Sequence, residues 1–150
     1  MNSSLKFYLQ KAQNLCSKKE ICCFDIKRKQ KSWELSNQDI NTIIDNLIEN
    51  NFIDETRYSE AYANDKFRFN KWGKVKIQYE LKKRNISSAD INNALLQIDE
   101  TEYITTLKEL LKKKSALIKN TEKFKKKQKL IQFIINKGYE PDMVYKIIKE

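Results

Sequence analysis

The chain has 150 residues, with 30 Lys and Arg against 20 Asp and Glu, a formal charge of +10 that the absence of histidine makes permanent through the neutral range. Hydrophobic residues at 40% and charged residues at 33% describe a chain that folds, and the apolar runs are too short and too broken by charge for a membrane span. Two glycines and one proline exclude a Gly-rich phosphate cradle and a turn-filled sheet, which leaves helices as the building material.

The opening residues, MNSSLKFYLQK, lack the apolar stretch of a secretion signal, so a cytoplasmic protein is expected, with Cys16, Cys22 and Cys23 as reduced thiols. Adjacent Cys22 and Cys23 lack the paired spacing of a zinc knuckle and no fourth ligand lies close, so buried structural cysteines are expected and no metal or cofactor. An amphipathic segment runs from about Leu5 to Leu15. Ile26 and Ile40 then stand fourteen positions apart, and the same interval separates Ile77 from Ile91 and Leu130 from Val144. Leu35, Ile86 and Tyr139 share one turn column inside those intervals. The pairs Ile43 and Ile44, Ala94 and Leu95, and Ile147 and Ile148 follow them.

Local chemistry marks the same turn three times. Ser36 and Ser87 stand as helix N-caps with Asp39 and Asp90 three residues on, as in a capping box, and Glu140 before Pro141 is the third member of that column. Asn85 and Gly138, just upstream, tolerate a left-handed backbone after a helix end. Further amphipathic segments at about Thr56–Phe69 and Tyr103–Lys114 complete each unit, although these first segments align poorly with one another. The fold expected is all-α, with three tandem three-helix modules at residues 1–51, 52–98 and 99–150. A unit so small buries little core alone, so the modules must pack on one another in an elongated, curved array, roughly 60 to 75 Å long at helix spacings near 10 Å.

Basic residues concentrate in two places. One is Lys66 through Arg84; the other is Lys108 through Lys129, where Lys112, Lys113, Lys114, Lys119, Lys123, Lys125, Lys126, Lys127 and Lys129 face few acids. Lysines of this kind contact phosphates without reading sequence. Trp72, flanked by Lys71 and Lys74, has the composition of a contact residue, although a Trp beside a Gly turn more often packs inward. Gly73 is read as backbone relief at that turn, and Trp33 as structural. Tyr58, Tyr62, Phe67 and Phe69 do not share one helical face, so at least one of them should be exposed or meet a neighbouring module. Asp54 and Glu55 suit a helix start, with Arg57 pairing to a nearby acid. With no histidine and no Ser or Cys beside a base in a recognisable motif, no catalytic site is nominated and the protein is read as a non-enzyme.

The segment Phe52-Ile53-Asp54-Glu55-Thr56-Arg57-Tyr58, followed by Trp72-Gly73, Lys76-Ile77, Glu80-Leu81 and Arg84-Asn85-Ile86, resembles the central motif of the RecX family of RecA regulators. Glu55 stands where many relatives carry a second Asp, and Asn85 replaces a helix-ending Gly. By this resemblance Phe52, Asp54, Glu55, Arg57, Tyr58, Gly73, Ile77 and Leu81 are the structural residues of the motif. The resemblance implies a modulator that lies in the groove of a RecA–DNA filament and limits filament extension, ATP turnover and strand exchange, in recombination, DNA repair and the SOS response. Candidate filament or DNA contacts are Lys66, Arg68, Lys71, Trp72, Lys74, Lys76, Lys82, Lys83 and Arg84 in the middle module, with Lys112, Lys113, Lys123 and Lys126 in the third. The expected partners are the RecA filament and, weakly and without sequence preference, single- or double-stranded DNA. A monomer is expected, and no membrane association. A stand-alone basic helical nucleic-acid-binding module is the alternative, and a scaffold for an acidic protein a third reading.

Overall fold

The computed structural model describes residues 2–119 and 121–149, which form nine helices and no strand. These are α1 (Ser3–Lys18), α2 (Cys23–Ser32), α3 (Asn37–Glu49), α4 (Glu55–Asn70), α5 (Lys74–Lys83), α6 (Ser88–Leu96), α7 (Glu100–Leu117), α8 (Lys123–Asn136) and α9 (Pro141–Lys149). They pack in threes: α1 and α2 lie on α3, α4 and α5 on α6, and α8 between α7 and α9. The accessible surface of 9853 Å² is about a fifth more than the roughly 8000 Å² expected of a compact monomer of this mass, so the triplets extend the molecule.

Each triplet starts where a side chain supplies the missing helix partner. Asn2, Asp54 and Asp99 accept from the backbone N–H groups of Leu5, Arg57 and Glu102, and so open α1, α4 and α7. Ser36 and Ser87 cap α3 and α6 by accepting from Asp39 and Asp90 N–H at 3.1 and 3.2 Å. The reciprocal arm of the expected capping box is redirected at Asp90, whose carboxylate takes the Thr56 hydroxyl of α4 at 2.7 Å. Buried apolar side chains follow at helical spacing, as in Ile40, Ile43, Ile44 and Leu47 of α3. Each such Ile or Leu contributes about 1.5–3 kcal/mol when taken out of water.

The turn column contains the expected left-handed residues Asn85 (φ 59°) and Gly138 (φ 99°), and Glu34 (φ 61°) occupies the same place in the first triplet. Gly73 itself has an ordinary φ of −79°. The left-handed residue of that turn is Lys71 (φ 59°), so the expected backbone relief falls two positions earlier. What Gly73 supplies is room. A Cβ there would collide with the backbone of Gly138 and Tyr139, and a Cβ on Gly138 would collide with Lys76. The chain's two glycines thus face each other across the boundary between the second and third triplets. Gly73 N–H donates to the Lys137 carbonyl at 2.8 Å and Val75 N–H to the Gly138 carbonyl at 2.9 Å.

Two apolar clusters result. One holds Ala12, Ile26, Ile43, Leu47 and Ile53 of the first triplet, and the other runs without a break through the second and third, from Tyr58 to Val144. Cys16 and Cys22 are buried and Cys23 half-buried; burial pushes the Cys22 and Cys23 thiols up to about 11 and about 12, so they remain protonated and inert near neutrality. Trp33 stacks on Tyr8 at 5.7 Å under the Lys11 ammonium. Gln30 departs from the pattern: it takes the place held by Leu81 and Ile134 in the other triplets, is 0% exposed, and both side-chain polar atoms lack a hydrogen bond.

Gln30→Leu is therefore expected to raise the unfolding free energy by about 1–3 kcal/mol, because it removes two unpaired buried polar atoms from a core position. An unchanged urea midpoint would contradict that assignment. Gly73→Ala is expected to cost roughly 1–3 kcal/mol through overpacking at the triplet boundary. Thermal unfolding measures this cost, and wild-type stability in the variant would mean the two backbones can separate without loss.

Candidate polyanion-binding surface

The motif residues of the first α4 turns form a joint. Ile53-Asp54-Glu55-Thr56-Arg57-Tyr58 returns forty-five residues later as Ile98-Asp99-Glu100-Thr101-Glu102-Tyr103, a repeat hidden when the sequence is aligned on its apolar columns. Each copy seats on the N-terminus of the preceding triplet's middle helix. Neither α2 nor α5 has a side-chain cap of its own, at Cys22 or at Gly73. Glu55 accepts from Cys23 N–H at 3.3 Å, and the Tyr103 hydroxyl accepts from Lys74 N–H at 2.8 Å. Tyr58 donates to Asp25 at 3.3 Å and Tyr103 donates to Glu140, the residue whose place in the turn column had suggested a cap. Burial first, and then the Glu140 carboxylate, push the Tyr103 hydroxyl far up, so it stays a donor. Arg57 binds Glu20 and donates to the Asn51 carbonyl at 3.1 Å. Ile77 and Leu81 are fully buried, and Phe52 packs partly buried on the first cluster.

These joints engage much of the middle-module charge. Lys74 pairs with Glu100 at 3.5 Å and lies 4.8 Å over the Tyr103 ring. Arg84 pairs with Glu80 at 3.1 Å and with Asp25 at 3.6 Å, and Lys83 reaches Glu80 at 3.9 Å. Lys66 and Lys76 stand 4.9 and 4.5 Å from the Trp72 ring centre, so that half-buried indole is already in contact with two ammonium groups. Arg68, Lys71 and Lys82 are exposed and, among the described residues, carry no ion pair. Phe69 beside Arg68 is 80% exposed, the aromatic that no helical face could accommodate.

The third-module lysines are arranged differently. From Asp54 to the buried Ile77 is twenty-three residues, whereas Asp99 to the matching Leu130 is thirty-one, so the α7–α8 corner is eight residues longer. The lysines lie in and around that extension. Lys112 and Lys113 are exposed on the last turns of α7, and Lys123, Lys125 and Lys127 are exposed on the first turns of α8 beside a half-buried Lys126. Glu122 is the one acid between Lys112 and Lys129, and no salt bridge reaches any lysine in that interval among the described residues. Cations at the first turn of α8 oppose its macrodipole, and the helix has neither an acid in that turn nor a side-chain cap. Lys114, Lys119 and Lys129 line a surface groove of about 490 Å³ together with Leu117 and Phe133. Phe124, 68% exposed, adds an aromatic face. Such a surface can hold phosphates by charge and stack an unpaired base.

Family models for the second and third three-helix domains of RecX match residues 54–95 and 100–148. Regulatory protein RecX of Clostridium acetobutylicum is 32% identical over 84% of this chain and 60% of its own length, and that of Clostridium beijerinckii is 30% identical over 84% and 59%. The chain thus spans about three fifths of these relatives. Among solved structures, RecX from Lactobacillus salivarius superposes with a TM-score of 0.83 at 21% identity, covering 97% of this chain and 94% of that one. A second crystal structure of regulatory protein RecX gives 0.84 at 22% identity, over 98% and 74%. With both domain models matched in order and the same fold throughout, the chain belongs to the RecX family.

Proposed function

We propose that the chain is a non-enzymatic regulator of the RecA recombinase that binds the RecA–DNA filament and restrains its ATP turnover and extension. Family membership supports the partner. The observation that carries the mode of action is the unpaired lysine surface of the α7–α8 corner, standing at one end of an extended helical array. On a filament, many individually weak contacts act together, so affinity for the repeating polymer exceeds affinity for one subunit or for bare DNA. Arg68, Lys71 and Lys82 extend the contact along the middle module, while Lys74 and Arg84 serve chiefly to hold the triplets together. No helix among the described residues is long and apolar enough to cross a membrane.

Titration into single-stranded-DNA-dependent ATP hydrolysis by the cognate recombinase tests the reading. Inhibition is expected at concentrations too low to coat the DNA. Inhibition appearing only at coating concentrations would favour the stand-alone nucleic-acid-binding module, which the same lysine surface also fits. Charge reversal at Lys123, Lys126 and Lys129 is expected to raise the inhibitory concentration about tenfold or more and to reduce the log–log salt slope of DNA binding by about 2–3. Undiminished inhibition with unchanged helicity would remove the α7–α8 corner from the interface.

A further inference from the structure

The two triplet boundaries are built from different materials. Between the second and third triplets, backbone meets backbone at Gly73 and Gly138, Tyr103 and Tyr139 rings lie 5.0 Å apart, and one apolar cluster is continuous. Between the first and second triplets the apolar clusters are separate, with Cys22 and Phe24 alone of the first triplet reaching the larger one. Side-chain groups make the remaining bridges: Arg57 to Glu20, Arg84 and Tyr58 to Asp25, and Glu55 to Cys23 N–H. Two of those groups are incompletely satisfied, since Arg84 Nε and Glu55 Oε2 are buried without a hydrogen bond. An open cleft of about 730 Å³ lies along the same boundary, with Asp25 and Lys29 on one wall and Tyr62 and Arg84 on the other.

We infer that the α1–α3 triplet is hinged on the rest of the chain and latched by the Arg57–Glu20 and Arg84–Asp25 ion pairs. The short link of residues 50–54 is the pivot. Within it Asn51 (φ 60°), Phe52 and the buried Ile53 stay with α3, their N–H groups bonded to the Ile48 and Leu47 carbonyls, so the bend falls between Ile53 and Asp54, just before α4. Opening the latch hydrates the unsatisfied guanidinium and carboxylate, which offsets part of what the ion pairs lose. The α4–α9 body, with its shared core, moves as one piece. Independent of any reading of partner, the hinge belongs to the isolated protein.

Small-angle scattering of the purified chain tests it. Raising salt from about 0.1 M to about 1 M shortens the screening length from about 10 Å to about 3 Å, which weakens the half-exposed pairs. The radius of gyration is expected to rise by roughly 1–2 Å on a compact-domain scale of about 15 Å, with far-UV helicity unchanged. The double variant Arg57→Met, Arg84→Met is expected to show the larger radius already at low salt. A radius indifferent to salt, or equal in variant and wild type at low salt, overturns the inference. So does an expansion accompanied by loss of helicity, which would report unfolding of a triplet rather than its movement.

Discussion

Two backbones approach so closely at the second boundary that neither Gly73 nor Gly138 has space for a Cβ, and the rest of the array depends on that approach. It lets the first N–H groups of α5 reach the carbonyls of Lys137 and Gly138, which a side chain on either residue would hold apart. It also brings Tyr139 against Tyr103, so that aromatic burial and backbone pairing reinforce one another. In a chain with only two glycines, both sit at this contact: Gly73 is needed for room alone, and Gly138 for room and for its φ of 99°.

The repeated Ile-Asp-Glu-Thr-x-Tyr element explains how small helical units become one object. Its Asp caps its own helix, while its Glu or Tyr serves the preceding triplet. Matched positions have diverged in detail: Glu55 accepts from Cys23 N–H, whereas Glu100 pairs with the Lys74 ammonium. That divergence separates a boundary rich in ion pairs from one rich in buried rings. Charge in the middle of the molecule is accordingly structural in large part, and charge at the α7–α8 corner is left over.

Much of the fold could be read before any coordinates. Poverty in glycine and proline pointed to helices, and the fourteen-residue intervals with Ser36 and Ser87 located two turns through capping chemistry. Glu34 was not legible as a left-handed residue, because Glu has no such preference and the position is fixed by the packing of α2 on α3. Nor was the partnership of Gly73 with Gly138, sixty-five residues apart, which no local rule connects. The two basic clusters were visible, but which lysines are tied down was not. Lys74 meets Glu100, and Arg84 meets Asp25, only after the triplets have stacked. The forty-five-residue repeat was present in the letters and was masked by the eight extra residues at the α7–α8 corner.

Borrowed caps give the array a direction. Removing α1–α3 would return Glu55 and Arg57 to water, take Asp25 from Tyr58 and Arg84 and uncover the edge where Cys22 and Phe24 meet the larger core, but leave the caps of the later helices in place. Removing α7–α9 would strand the opening amides of α5 and strip half of a shared core. Dependence therefore runs from the C-terminal end toward the N-terminal one: each block stands on its successor, like masonry laid from the far side.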